Sequence, residues 1–227
     1  MWTRLVAGAA AHDINNLAQG LSNLLSLASA PTATRESLER YASLARDGLK
    51  ELRRLATDLR ALANAQANAE TQRLDLVAVE AVTELGPPGD KSIDVGPLDA
   101  GALVAGPALA LHLAIQAVVR YSVAASAPRA GVTVSVAREG GTAAVIVSAP
   151  SAPAPRTAAD AELGALLGGA EREFGGDASL VLAGAATHLL GGEASAGSGP
   201  AGGLRFKLSF PRAEEGQREG ARDVGSA

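Results

Sequence analysis

Apolar residues recur at three- and four-residue spacing near the start of the chain, at Ile14, Leu17, Leu21, Leu24, Leu25 and Ala28. That period predicts a helix over Trp2 to Ala28, which Pro31 ends. A short turn, Ser29 to Thr34, follows. A second helix is predicted from about Arg35 to Ala69, and it carries a heptad pattern. Leu38, Ala45, Leu52, Leu59 and Gln66 hold one seam position; Tyr41, Gly48, Leu55, Leu62 and Ala69 hold the other, with a soft middle at Ala45 and Gly48. Two long helices joined by a tight turn make an antiparallel hairpin. A lone hairpin has too little to bury its stripe against. Pairing two hairpins into a four-helix bundle solves that, so a homodimer is expected.

From Arg73 the pattern changes. Arg73 to Leu76 reads as a short extended stretch, Val77 to Leu85 as a short helix, and Gly86 to Asp90 as a turn. Ser92 to Val95 reads as a strand. Pro107 to Ala125 is an almost wholly apolar helix, suited to packing on a sheet. Gly131 to Arg138 and Thr142 to Ser148 flank Glu139-Gly140-Gly141 and read as a β-hairpin. Ala149 to Pro155 is loop. Ala178 to Leu190 is a helix stopped by Gly191-Gly192. Leu204 to Phe210 alternates apolar and polar residues as a final strand. The fold class is therefore α+β: a helical hairpin over residues 1–70, an α+β domain over 73–212, and a charged, Gly-rich tail over 213–227 expected to be disordered.

Composition narrows the chemistry. The chain has 227 residues, 47% of them hydrophobic but only 3% aromatic, so its core must be built from Ala, Leu and Val. A charged fraction of 19% argues against global disorder. The net charge of −4 argues against a general nucleic-acid binder. The chain has no Cys, which excludes thiol catalysis and Cys-based metal sites, and its His residues are His12, His112 and His188 alone. No apolar run is read as long and unbroken enough to cross a bilayer. Met1 to Arg4 followed by apolar Leu5 to Ala11 has the layout of a secretory leader, but the apolar part is short and His12-Asp13 interrupts it. A soluble cytoplasmic chain without a membrane partner is the better reading.

One stretch carries chemistry: His12-Asp13-Ile14-Asn15-Asn16. The apolar stripe of the first helix centres between Leu21 and Ala28, and His12 falls roughly 170° from that centre. Asn16, four residues on, shares the face of His12, and Asp13 flanks it. A neutral imidazole is a good nucleophile toward phosphorus. An adjacent Asp can orient the ring, hold its tautomer and accept the proton lost on attack. An exposed polar patch on an amphipathic helix is the bland alternative that spacing leaves open. His112 and His188 lie on apolar helices and read as structural. Arg40, Arg46, Lys50, Arg53, Arg54 and Arg60 on the second helix read as a solvated face interleaved with acids, or as a surface that steers an acidic partner.

His12 to Leu17, early on the first helix of a dimeric hairpin, resembles the phosphoacceptor box of sensor histidine kinases. The resemblance implies His12 as phosphorylation site, Asp13 as its acid/base partner, and Asn16 as the residue that helps hydrolyse a partner's phospho-aspartate. Leu17 stands where that family commonly has Pro. Leu74-Asp75-Leu76 is similar to the opening of the family's ATP-binding domain. Val104 to Pro107 with the following helix is similar to the segment bearing its Asn-rich box. Gly191-Gly192-Glu193 through Pro211 is similar to its ending, a Gly-Gly turn, two strands and a closing Pro. The resemblance implies a GHKL-type α/β sandwich, but a degenerate one. Tyr121-Ser122 stand where the first box should have Asn. Ala149-Pro150-Ser151-Ala152-Pro153 replace an Asp-x-Gly-x-Gly box. Gly176-Asp177-Ala178 puts an acid where phosphate would be cradled, and Leu163 to Gly176 resembles a decayed lid. ATP binding is not expected.

The expectation is a dimeric histidine phosphotransfer protein with a kinase-like body and no cofactor of its own. His12 would pass a phosphoryl group between receiver domains of response regulators, which would supply their own Asp, Lys and Mg²⁺. Two rivals remain. One is a pseudokinase that regulates a response regulator or a kinase by binding alone. The other is a divergent ATP-dependent histidine kinase.

Overall fold

The structure is a computed structural model that describes residues 2–64, 70–86, 89–150, 178–199 and 202–213. Helix α1 (Trp2–Ala28) runs unbroken through Leu17, and α2 (Arg35–Asn64) returns beside it. Thr34 caps α2: its Oγ1 accepts the Ser37 backbone N–H at 3.2 Å, which satisfies a donor that the first helical turn leaves without a partner. The soft middle of the heptad has a packing role, because a Cβ added at Gly48 would lie 3.4 Å from Leu21 Cδ2. Leu21 thus seats against the one position of that seam with no side chain. Lower down, Leu55 and Leu62 are buried. The expected continuation of α2 through Gln66 and Ala69 lies outside the described residues.

The α/β part follows. Strand β1 (Thr71–Arg73) leads directly into α3 (Leu74–Leu85), so the helix begins earlier than the period suggests and Leu74 to Leu76 are helical rather than extended. β2 (Ser92–Leu98) outlasts the expected strand, with a register irregularity between Val95 and Leu98. β3 (Leu103–Ala105) pairs antiparallel with β1. Then come α4 (Ala108–Ala125), β4 (Gly131–Glu139), β5 (Thr142–Ala149), α5 (Ala178–Leu189), β6 (Glu193–Ser198) and β7 (Leu204–Pro211). The main sheet has the order β2-β4-β5-β7-β6; β2 and β4 are parallel and the other pairs antiparallel.

Period-two alternation decides which face is inside. Val132, Val134 and Val136 of β4 and Leu204, Phe206, Leu208 and Phe210 of β7 are buried, while Thr133, Ser135, Arg205 and Lys207 between them are only partly covered. The buried face meets α3, α4 and α5. Contrary to the expectation that no run is long enough to cross a bilayer, α4 is long and apolar enough by composition; 56% of it is buried in the fold, as in the core helix of a packed domain. Burying each such Leu, Val or Phe contributes about 1.5–3 kcal/mol.

Ala213, expected to open the tail, is buried and donates its N–H to Leu103 O at 2.9 Å, and Arg212 bridges to Val104, so the two residues fasten β3. Residues 151–155, 163–177 and 214–227, which hold most of the expected loop, the expected lid, most of two nucleotide boxes and all but the first residue of the tail, lie outside the described residues. The hairpin rests on the body through α1 against α5 and α2 against α4.

Candidate functional site

His12 sits on α1 with its side chain 45% exposed, and Asp13 beside it is 32% exposed. The imidazole Nδ1 lies 3.2 Å from Asp13 Oδ1 and 3.2 Å from Asn16 Nδ2; Nε2 lies 3.4 Å from the same amide nitrogen. One helix places all three, because residues at i and i+4 stack on one face and i+1 flanks them. The two contacts of Nδ1 favour different tautomers. Asp13 is an acceptor and is satisfied when the ring proton is on Nδ1, which puts the lone pair on Nε2; Asn16 Nδ2 is a donor and lies nearer Nδ1 than Nε2. In the tautomer that Asp13 favours, Nε2 is the nucleophilic nitrogen.

A second wall comes from α2. A cavity of about 190 Å³ is lined by Asp13, Asn16 and Leu17 on α1 and by Glu51, Arg54 and Leu55 on α2, and it reaches the imidazole through Asp13 and Asn16, which contact the ring. Arg54 is not part of a solvated face: its side chain is only 20% exposed and is held between two carboxylates. Its Nε donates to Glu51 Oε1 at 2.9 Å, its Nη2 also pairs with Glu51, and its Nη1 donates to Asp58 Oδ2 at 2.6 Å. The Arg54 hydrogen bond holds the Glu51 carboxyl below the usual range, whereas burial pushes Asp58 up against the pull of Arg54 and Arg120. On sequence alone Arg54 reads like the other basic residues of α2. The spacing Glu51, Arg54, Asp58, at i, i+3 and i+7, was the signal that set it apart.

The other two histidines stand away from this site. His112 on α4 pairs through Nε2 with Glu84 Oε2 at 2.9 Å, and His188 is exposed near the end of α5. A larger cleft, about 380 Å³, opens between α2, α3 and α4 and includes Asp58, Glu84, His112 and Gln116 but none of the His12 trio.

The residues of α4 bear on nucleotide binding. Tyr121 packs edge-on against Phe206 with ring centroids 5.7 Å apart, and Ser122 is fully buried with its hydroxyl unpaired. The single side-chain amide of α4, on Gln116, is buried and turned to α3, donating to Ala81 O at 3.3 Å. The placement of these three side chains serves packing within the body.

No protein-family profile and no curated protein matches the sequence. Solved structures do match. The Acinetobacter baumannii histidine kinase AdeS superposes with a TM-score of 0.60 at 13% identity, over 89% of this chain and 96% of that one. The ATP-binding domain of PrrB from Mycobacterium tuberculosis gives 0.54 at 17% identity, over 65% and 99%. The mycobacterial sensor histidine kinase MprB gives 0.51 at 16% identity, over 64% and 99%. The AdeS match is too long to be carried by the α/β part alone, and identities this low speak for fold rather than activity. The chain has a sensor-histidine-kinase-like fold, a helical hairpin joined to an α/β body of the ATP-binding-domain type.

Proposed function

We propose that this protein is a dimeric histidine phosphotransfer protein of a two-component phosphorelay, in which His12 takes a phosphoryl group from one phospho-aspartyl receiver domain and gives it to another without ATP. The observation that carries the reading is the His12 imidazole, exposed on α1 with Asp13 on Nδ1 and Asn16 across the ring, in a chain of histidine-kinase-like fold. The Nε2 lone pair attacks phosphorus. The P–N bond forms as the bond from phosphorus to the receiver's aspartyl oxygen breaks, and the electron pair leaves with that carboxylate. The proton on Nδ1 stays in its hydrogen bond to Asp13, whose charge stabilises the phosphoimidazolium. Return transfer reverses these steps. Catalysis on this chain's side is positioning and charge compensation, while the receiver contributes its own Asp, Lys and Mg²⁺.

Dimerisation is supported by apolar surface on the hairpin. Ile14 and Leu25 on α1 are 43% and 69% exposed, and Leu38 and Leu49 on α2 are 41% and 48% exposed. Each pair is eleven residues apart and falls on one stripe of its helix. The α1 stripe lies roughly 150° from His12, so pairing two hairpins through it leaves the imidazole outside the bundle. The loss of ATP chemistry is supported by Tyr121, Ser122 and Gln116, whose placement serves packing.

The test supplies phosphate from two sources. Labelled phospho-receiver is expected to label the protein and labelled ATP is not. Label from ATP makes the protein an autokinase. Receiver binding with full biological effect in His12→Ala makes it a non-catalytic regulator.

A further inference from the structure

A phosphoryl group brings roughly two negative charges, and its oxygens need donors. The helix that carries His12 has neither Lys nor Arg from Leu5 to Ala28. α2 has both. Across the cavity of about 190 Å³, Arg54 faces Asp13 and Asn16, and Asn16 is at once a wall of the cavity and a contact of the imidazole. A guanidinium fork matches phosphoryl oxygens in a way that a point charge does not. Its present partners can yield it. Glu51 has a side chain 49% exposed and can return to water, and Asp58 has a second guanidinium, Arg120, at 4.0 Å.

We infer that Arg54 is the phosphoryl-binding residue of the His12 site: with Nε2 phosphorylated, its guanidinium exchanges Glu51 for a phosphoryl oxygen across the cavity shared with Asn16. The inference rests on the phosphotransfer reading above. It adds an acidic competitor to the site, because Glu51 and the phosphoryl group bid for the same guanidinium. Removing Glu51 and removing Arg54 therefore act in opposite directions, which a purely structural role for the pair would not produce.

The test phosphorylates the full-length protein with phosphoramidate, whose P–N bond breaks with release of ammonia as the bond to Nε2 forms, so no receiver is needed. The ³¹P resonance that His12→Ala abolishes is then titrated against pH. In Arg54→Gln the titration midpoint is expected to move up by roughly one pH unit, since a nearby cation favours the dianion. In Glu51→Gln, which keeps Arg54 and frees it, the midpoint moves down. Equal midpoints in wild type and Arg54→Gln overturn the assignment while leaving phosphotransfer standing. So do shifts of the same sign in both variants. Absence of a His12-dependent resonance in the wild type removes the phosphotransfer reading itself.

Discussion

Asp58 on α2 and Arg120 on α4 stand 4.0 Å apart, and this pair ties the hairpin to the body. Both side chains are largely covered, Asp58 at 12% and Arg120 at 29% exposure. Burial lowers the pKa of Arg120 and raises that of Asp58, so each group is partly desolvated and leans on the other; Arg54 is a second partner for Asp58 but a like charge beside Arg120. Arg120→Ala removes that support and also the 2.8 Å hydrogen bond from Arg120 Nη2 to Gln116 Oε1. It is expected to cost about 1–2 kcal/mol in urea unfolding. Amide exchange should quicken where α2 meets α4 before it does in β4 and β5.

Asp13 and Asn16 flank the same ring but are expected to differ in effect. Asp13→Asn keeps an acceptor oxygen but removes the charge that favours the proton on Nδ1 and offsets the phosphoimidazolium. It should lower the transfer rate by about 10²–10⁴-fold. Asn16→Ala removes only a neutral contact on the ring. It is expected to leave transfer within about tenfold of wild type. Single-turnover transfer from a phospho-receiver separates the two.

The Arg73–Asp75 pair gives a pH dependence with a definite sign. Asp75 is buried at the start of α3, and Arg73 Nη2 donates to its Oδ2 at 2.6 Å. The Arg73 hydrogen bond holds the Asp75 carboxyl below its ordinary range, against the opposing effect of burial. The folded state then binds this proton less readily than the unfolded chain does. Its contribution is present above the unfolded pKa and is lost as pH falls through the folded one. Asp75→Asn should be less stable than wild type at neutral pH, and the gap should close as the pH drops below the carboxylate range. Thermal melts across that range read it directly. Asp58 runs the other way, since its raised pKa makes its own contribution fall as pH rises.

Two glycines separate backbone conformation from crowding. Gly140 and Gly203 both have positive φ, 59° and 75°. A Cβ at Gly140, in the β4–β5 turn, would meet nothing within 4 Å, whereas one at Gly203 would stand 2.6 Å from the carbonyl oxygens of Ala149 and Pro150. Gly140→Ala should cost about 1 kcal/mol, the price of the left-handed conformation alone. Gly203→Ala should cost about 2–4 kcal/mol because the start of β7 must also move off the end of β5. Chemical denaturation of both variants checks the difference.

The parts of this fold that can be read from the chain are those whose signal is local. The α1–α2 hairpin shows as two helical periods around Pro31 and Thr34, and the β4–β5 hairpin as alternation around Gly140. The β1–β3 pair has no such signal: three residues on each side, joined across some thirty positions, give alternation nothing to act on. β6 is made of Glu, Ala, Ser and Gly, poor strand formers held by β7 alone, and only the family resemblance suggested it. The register irregularity after Val95 let β2 run past Gly96 and Pro97, where the period stops. The site divides in the same way. His12, Asp13 and Asn16 belong to one helix and follow from its geometry. Arg54 and Glu51 come from the other helix, and placing them needs the hairpin register, which the seating of Leu21 on Gly48 supplies.

The most direct measurement of the central claim is the position of the phosphoryl group after brief contact between this protein and a phosphorylated receiver domain, with no nucleotide present. Fragment mapping under conditions that preserve phosphoramidate bonds should place the modification on His12, and His12→Ala should take up none. Modification that persists in His12→Ala, or a protein that stays unmodified while it binds the receiver, would contradict the claim.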